Sequence, residues 1–189
     1  MSCTVAVVHS DTVRTARLDL IPMTPPFLEA SLRGDREQAA LVIAAVVPEE
    51  WMKVDPWLQR RLEQLRKDPS LQPWLLRAMV LRSEQRMIGQ IGFHARPGEP
   101  YLDDLAPGGV ELGYTVFESW RRQGYAHEAA HGLMRWAHYE QGTTRFVVSI
   151  SPTNVASLAL AQRLDFKRIG SHFDDEDGPE DIFEHRMES

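Results

Sequence analysis

The chain has 189 residues, 43% hydrophobic and 25% charged, the composition of one globular domain with a substantial core. Its 27 acidic against 21 basic side chains give a net charge of −6, which lacks the basic field of a nucleic-acid binder and mildly favours cationic partners such as amines. A single cysteine, Cys3, excludes an internal disulfide; Met1 to Val8 is too short and too unflanked by basic residues to read as a secretory signal, and no run reaches the ~20 apolar residues of a membrane span, so a cytoplasmic protein without a membrane partner is expected.

Residues 1 to 13 read as a poorly ordered start. Arg17 to Pro22 alternates and predicts a first strand. Thr24-Pro25-Pro26 reads as a helix start with Thr24 as cap. Two or three helices are expected over Phe27 to Lys67, broken near Gly34 and Pro48, the last opened by Asp55-Pro56. Trp74 to Arg82 and Met87 to Ala95 predict a hairpin, followed by a Pro-, Gly- and Asp-rich loop from Arg96 to Gly108.

Gly109 to Phe117 is the next expected strand, and Ala126 to Glu140 a helix stopped by Gly142. Arg145 to Ser151 reads as a strand buried on both faces. Asn154 to Leu164 reads as a helix capped by Thr153 or Asn154. Phe166 to Ser171 and Ile182 to Met187 are closing strands. The sum is a single α/β (α+β) domain over residues 14–188, with a mixed sheet of about six to seven strands flanked by helices.

The stretch Arg121-Arg122-Gln123-Gly124-Tyr125-Ala126 lies between the strand ending at Phe117 and the helix opening at Ala126. Backbone N–H groups and the positive dipole end at such a helix start make an anion site, and two arginines add charge suited to phosphate. The residues therefore suggest a pyrophosphate held at the head of this helix.

Its R-x-x-G-x-A spacing resembles the acyl-CoA pyrophosphate loop of the GNAT acetyltransferase superfamily. Downstream, Asn154-Val155-Ala156-Ser157 after a buried strand, and Leu164-Asp165-Phe166 one helix later, resemble that superfamily's Asn-x-x-Ser helix and trailing Leu-Gly-Phe. Arg14-Thr15-Ala16-Arg17-Leu18-Asp19-Leu20 resembles the opening of the RimJ/RimL type of ribosomal-protein alanine acetyltransferases. The resemblance spans about Arg14 to Met187. It implies acetyl-CoA as co-substrate, with no metal, and a primary amine as acceptor, either a protein N-terminus or a small-molecule amine. It further implies that the strand 109–117 lends backbone groups at Tyr114, Thr115 and Val116 to the pantetheine arm and splays from strand 145–151 through a bulge. On the same basis Arg121, Arg122, Gln123, Gly124, Tyr125 and Ala126 hold the pyrophosphate, Asn154 bonds the pantetheine, and Ser157 lies near the thioester sulfur. A homodimer is left open, as no diagnostic patch marks one.

Within Val110 to Val116, Glu111, Gly113 and Thr115 share one face of the strand. An amine acceptor arrives protonated, with a pKa of ~8 for an α-amine or ~10 for a lysine, and must lose a proton before it attacks a thioester. Glu111 is the candidate base, directly or through water; the alternative is a structural pair with an arginine such as Arg77. His94, at the end of its strand, is a second candidate base, because histidine titrates in a range suited to this task; a structural hydrogen bond is the alternative.

Two departures stand out. Many relatives protonate the leaving thiolate with a tyrosine on the last helix, and Ala161 stands there; Ser157 or a water would serve instead. Asp165 replaces a glycine, which bears on the local turn. The missing tyrosine also motivates a rival reading, a non-catalytic acyl-CoA sensor or regulatory module.

His127-Glu128-Ala129-Ala130-His131 matches the H-E-x-x-H zinc-protease pattern. Its extended form fails at Met134 and Ala137, and no third ligand is evident. Trp51, Trp57 and Trp74 are expected in core or lid packing rather than an acceptor pocket. Asp174 to Asp177 lacks calcium-loop spacing and reads as a solvated turn.

Overall fold

The computed structural model describes residues 11–53, 56–98, 102, 104–174 and 178–188. Its eight-stranded sheet contains β1 (Val13–Arg14), β2 (Leu18–Pro22), β3 (Arg77–Leu81), β4 (Arg86–Phe93), β5 (Val110–Val116), β6 (Arg145–Ile150), β7 (Lys167–Asp174) and β8 (Gly178–Arg186). Their spatial order is β1-β2-β3-β4-β5-β6-β8-β7. β5 and β6 are parallel, and the other neighbours are antiparallel. Seven of the strands answer to those expected. The eighth, β1, is two residues long, too short to register as a pattern, and lies against Leu20 and Asp19. The rest of the expected disordered start, residues 1–10, lies outside the described residues.

The sheet is covered on both faces, and the alternation of β3 shows how. Met79 and Leu81 belong to one core, Ala78 and Val80 to the other. The second core holds α1 (Pro25–Leu32), α2 (Arg36–Ile43) and α3 (Pro56–Lys67). α1 starts on two prolines, whose fixed φ suits a first turn, and Thr24 occupies the N-cap position as expected but makes no side-chain cap bond. Asp35 caps α2 through the Gln38 N–H. Leu58, Leu62 and Leu65 of α3 recur at helical spacing and are buried. Asp55, the expected start signal of α3, lies outside the described residues. Trp51 stacks on Phe27 at 5.7 Å and donates from its indole N–H to Ser31, so it is core as expected.

The first core holds α4 (Tyr125–Gln141) and α5 (Val155–Arg163). α4 presents Tyr125, Ala129, Ala130, Leu133, Met134 and Ala137 inward and ends on Gly142 at φ 72°, where a Cβ would be strained. Trp74 packs there between Phe93 and Trp136. Arg77 lies fully buried in this layer, its guanidinium donating to the carbonyls of Asp11, Leu20 and Pro73 and stacking 4.7 Å over Trp136. It therefore serves the sheet rather than Glu111, and the expected alternative pairing does not form. Burial lowers its pKa to about 10, partly offset by Asp11.

Candidate active site

β5 is the strand on which the site is built. Its ladder with β4 runs without a break from Leu112 opposite Phe93 to Val116 opposite Gly89. Its pairing with β6 covers only Val110 with Phe146 and Glu111 with Val147. Beyond that point the two strands diverge. The expected splay is present, but the β4–β5 ladder shows no register shift, so the expected bulge does not produce it. The His94 N–H donates to the Glu111 carbonyl and the Phe117 N–H to the Ile88 carbonyl. By antiparallel alternation the backbone groups of Gly113 and Thr115 belong to the β4 ladder, whereas those of Leu112, Tyr114 and Val116 face the opening. Of the expected pantetheine contacts, Tyr114 and Val116 thus present their backbone to the gap and Thr115 presents its own to β4. The Val116 carbonyl accepts from Arg121 Nε at 2.9 Å.

On the α4 and α5 side the divergence opens a narrow cavity. Leu112 and Tyr114 line it from β5, Val148 and Ile150 from β6, and Ser157, Leu160, Ala161 and Leu164 from α5 and its end. Asn154 is the cap of α5, not Thr153, and its side-chain oxygen accepts from the Ser157 N–H at 3.1 Å. That bond uses the carboxamide oxygen and fixes Ser157 at the first turn. Burial raises the pKa of the Tyr114 phenol, an effect partly countered by a hydrogen bond with Ser157. Ala161, buried, adds no polar atom to this cavity. Asp165, where a glycine was anticipated, takes φ 59°. The left-handed turn therefore forms with an aspartate, one of the residue types that tolerates it best.

On the opposite face of β5 the two candidate bases meet. His94 Nδ1 is 3.3 Å from Glu111 Oε2, with the carboxylate side chain 10% exposed and the imidazole 45%. Gly113 is what makes room: a Cβ there would lie 2.7 Å from His94 Nε2. Arg61 of α3 holds the His94 carbonyl at 2.8 Å. Treating the two residues as competing bases missed that they form one unit. His94 directly follows β4 and Glu111 stands at the start of β5, and the antiparallel pairing of the two strands brings them together.

The loop before α4 contains two left-handed residues, Arg122 at φ 61° and Gly124 at φ 83°. Gly124 caps α4 without a side-chain hydrogen bond, so the first N–H groups of the helix have no partner within it. With the exposed side chains of Arg121 and Arg122, this cradle has the donors and the charge that a pyrophosphate requires. Gln123 and Tyr125 are fixed differently from the exposed arginines. The Gln123 carbonyl accepts from Arg17 at 3.1 Å, and buried Tyr125 carries the Arg17 guanidinium 4.3 Å over its ring. Arg17 also donates to Glu128 from both its backbone N–H and Nε, at 2.6 Å each, and Thr15 donates to the same carboxylate at 2.6 Å. Arg17 is thus a brace for the loop that site reasoning overlooked, although its motif was visible.

The same contacts account for H-E-x-x-H. Glu128 is consumed by Thr15 and Arg17, so it is not placed to act as a protease base. His127 and His131 stack on each other at 6.3 Å on the helix's outer side. Among the described residues no cluster of three His, Cys, Asp or Glu side chains could hold a metal. Of the acidic run at 174–177, Asp174 pairs with Gly178 in the closing hairpin, and residues 175–177 lie outside the described residues.

Comparison with known proteins identifies the family. The Acetyltransferase (GNAT) domain family matches residues 17–167. The uncharacterized N-acetyltransferase YjdG of Bacillus subtilis (strain 168) is 26% identical over 159 residues, 82% of this chain and 88% of its own. Among solved structures, a GnaT-family acetyltransferase from Bordetella pertussis superposes with a TM-score of 0.65 at 19% identity, covering 92% of this chain and 98% of its own. The ribosomal L7/L12 alpha-N-protein acetyltransferase RimL, in complex with coenzyme A, gives 0.61 at 19%, covering 93% and 98%.

Proposed function

Because the chain belongs to the GNAT acetyltransferase family, whose members transfer acetyl groups from acetyl-CoA, we propose that it is a cytoplasmic N-acetyltransferase acting on a primary amine in a ternary complex. The single observation that carries this reading is the contact of Glu111 with His94 beside a strand pair that has come apart. A proton acceptor stands on one face of β5, and a gap suited to a thioester opens along its edge.

In this reading the cradle at 121–126 takes the pyrophosphate of acetyl-CoA. The NH2 of Asn154, whose oxygen is occupied by the helix cap, donates to a pantetheine carbonyl. The backbone N–H groups of β5 that face the gap polarise the thioester carbonyl and stabilise the oxyanion. The Glu111–His94 pair removes a proton from the ammonium, and the freed amine attacks. Ser157, at the sulfur end of α5, assists departure of the thiol. The RimJ/RimL-type opening at Arg14 to Leu20 supports a protein N-terminus as acceptor, and the net charge of −6 suits any cationic amine.

Acetyl-CoA at 100 times its Kd should stabilise the fold by about 2.7 kcal/mol, a thermal shift of roughly 5 to 10 °C, unchanged by chelator. Glu111→Gln should keep that shift and lose about a hundredfold or more in kcat against a panel of amines and N-terminal peptides. No shift at millimolar acetyl-CoA would overturn the reading. A shift without turnover in the wild type would favour the sensor alternative.

A further inference from the structure

The cavity between β5, β6 and α5 contains no acid on α5 beyond Ser157, since Ala161 stands one helical turn further on. It does receive a second hydroxyl, from across the gap. We propose that Tyr114, reaching into this cavity from β5, is the catalytic acid that protonates the departing thiolate, with Ser157 holding its phenol in place. This rests on the acetyl-transfer reading above.

Three observations converge. Among the described residues lining the cavity, only Tyr114 and Ser157 carry polar side chains; the remainder, such as Leu112, Val148 and Ala161, are apolar. A thiolate formed among them has little solvation and must be protonated by one of the two hydroxyls. A phenol, with an ordinary pKa near ~10, is far more acidic than an aliphatic hydroxyl. Second, Tyr114 and Ser157 line the same narrow cavity, from β5 and from α5, so their hydroxyls face one space. When Ser157 donates to the phenol oxygen, the phenol proton is left for the sulfur, and the phenolate that follows keeps a donor. Third, alternation along β5 puts Tyr114 on the face opposite Glu111. Base and acid then flank the strand edge, one on the side of the incoming amine and one on the side of the leaving group.

The proton and electron count closes. The amine nitrogen forms a bond to the carbonyl carbon, and the π pair moves to oxygen. The ammonium proton has gone to the Glu111–His94 pair. As the carbonyl reforms, the C–S bond breaks with its pair on sulfur, and the Tyr114 proton passes to that sulfur. The first proton passes from Glu111–His94 to water, the same pair then takes the second proton from the acylated nitrogen, and water returns a proton to the phenolate, so of the two protons lost by the ammonium one is balanced on the thiol and one is released to solvent.

The test is Tyr114→Phe, which keeps the ring and removes only the hydroxyl. Its kcat should fall about a hundredfold, with the acetyl-CoA thermal shift and the melting temperature of the free protein retained. Adding Ala161→Tyr to that variant should recover most of the lost rate, because it restores a phenol to the same cavity. A second readout needs no turnover: wild type should bind CoA more tightly than desulfo-CoA, and Tyr114→Phe should abolish the difference. A Tyr114→Phe variant with kcat within about twofold of wild type would overturn the proposal. So would a rate loss found only in Ser157→Ala. Failure of the underlying reading looks different: wild type itself then releases no CoA with any amine, whatever the binding contrast.

Discussion

At Gly113 a single missing side chain decides whether the acid–base pair exists. The His94 ring occupies the space a Cβ would need, 2.7 Å from Nε2, so Gly113→Ala should push the imidazole off Glu111. A displacement of that kind can cost up to about a hundredfold in rate. We expect it in kcat, with acetyl-CoA binding unchanged by calorimetry; an unaltered kcat would show that the pair is not used as placed. Arg77 makes a different demand. It is fully buried and holds three carbonyls, so Arg77→Met preserves volume but strands acceptors in the interior. A loss of about 2 to 4 kcal/mol is expected, read as a lower urea midpoint without a change in activity per folded molecule.

Two elements carry the cofactor end of the site, and each is positioned by a neighbour distant in sequence. α4 begins on Gly124 at φ 83°, a conformation that is strained for any residue with a Cβ. Gly124→Ala should lower stability by about 1 kcal/mol and weaken acetyl-CoA binding more than it changes kcat at saturation. Arg17 links that helix start to the strand β2 through Gln123, Tyr125 and Glu128. Arg17→Ala should therefore reproduce the binding defect without touching the acid–base pair. A raised KM with unaltered kcat would confirm the division, and equal losses in both would refute it. On β5, the residues pairing with β4 and those facing the gap alternate, so one strand serves as structure on one edge and as a ligand surface on the other.

Over the whole molecule, two depressed carboxylates tie the parts together. Burial would raise the pKa of Glu128, but the hydrogen bonds from Thr15 and Arg17 outweigh it and leave it below the ordinary 4.5. Burial likewise opposes, and hydrogen bonds from Arg186 and Arg145 overcome, the same effect at Glu184. Arg145 also holds the carbonyls of Pro107 and Leu105, fastening the loop before β5 to β6. A depressed folded-state pKa means stabilisation that is complete above the unfolded value and lost as pH falls through the folded one. Glu128→Gln and Glu184→Gln should accordingly be less stable than wild type at neutral pH. The deficit should shrink with acidification and vanish once the native carboxylates are protonated. A deficit independent of pH in denaturant titrations would contradict the charge-based account.

The local patterns were sufficient for the class of fold, for seven of the eight strands, for α4 with its Gly142 stop and for the loop at 121–126. Each rests on signals a few residues long: period-two alternation, helical spacing, glycine at a left-handed turn. β1 escaped because two residues carry no period, and Thr24 stands at the N-cap of α1 without a side-chain bond, next to prolines that lack an N–H to offer it. The rest depends on contacts between positions far apart in the chain. Nothing near Glu111 in sequence announces His94, which reaches it through strand pairing across 16 intervening positions. Nothing near Glu128 announces Thr15 and Arg17, which turn a metalloprotease-like pattern into a brace. The parting of β5 from β6 is a property of two strands and the helix between them, so only the tertiary structure places Tyr114 and Ser157 in one cavity with Ala161. Residue types and spacing decided which chemistry was available; side-chain directions across paired strands decided which groups meet to perform it.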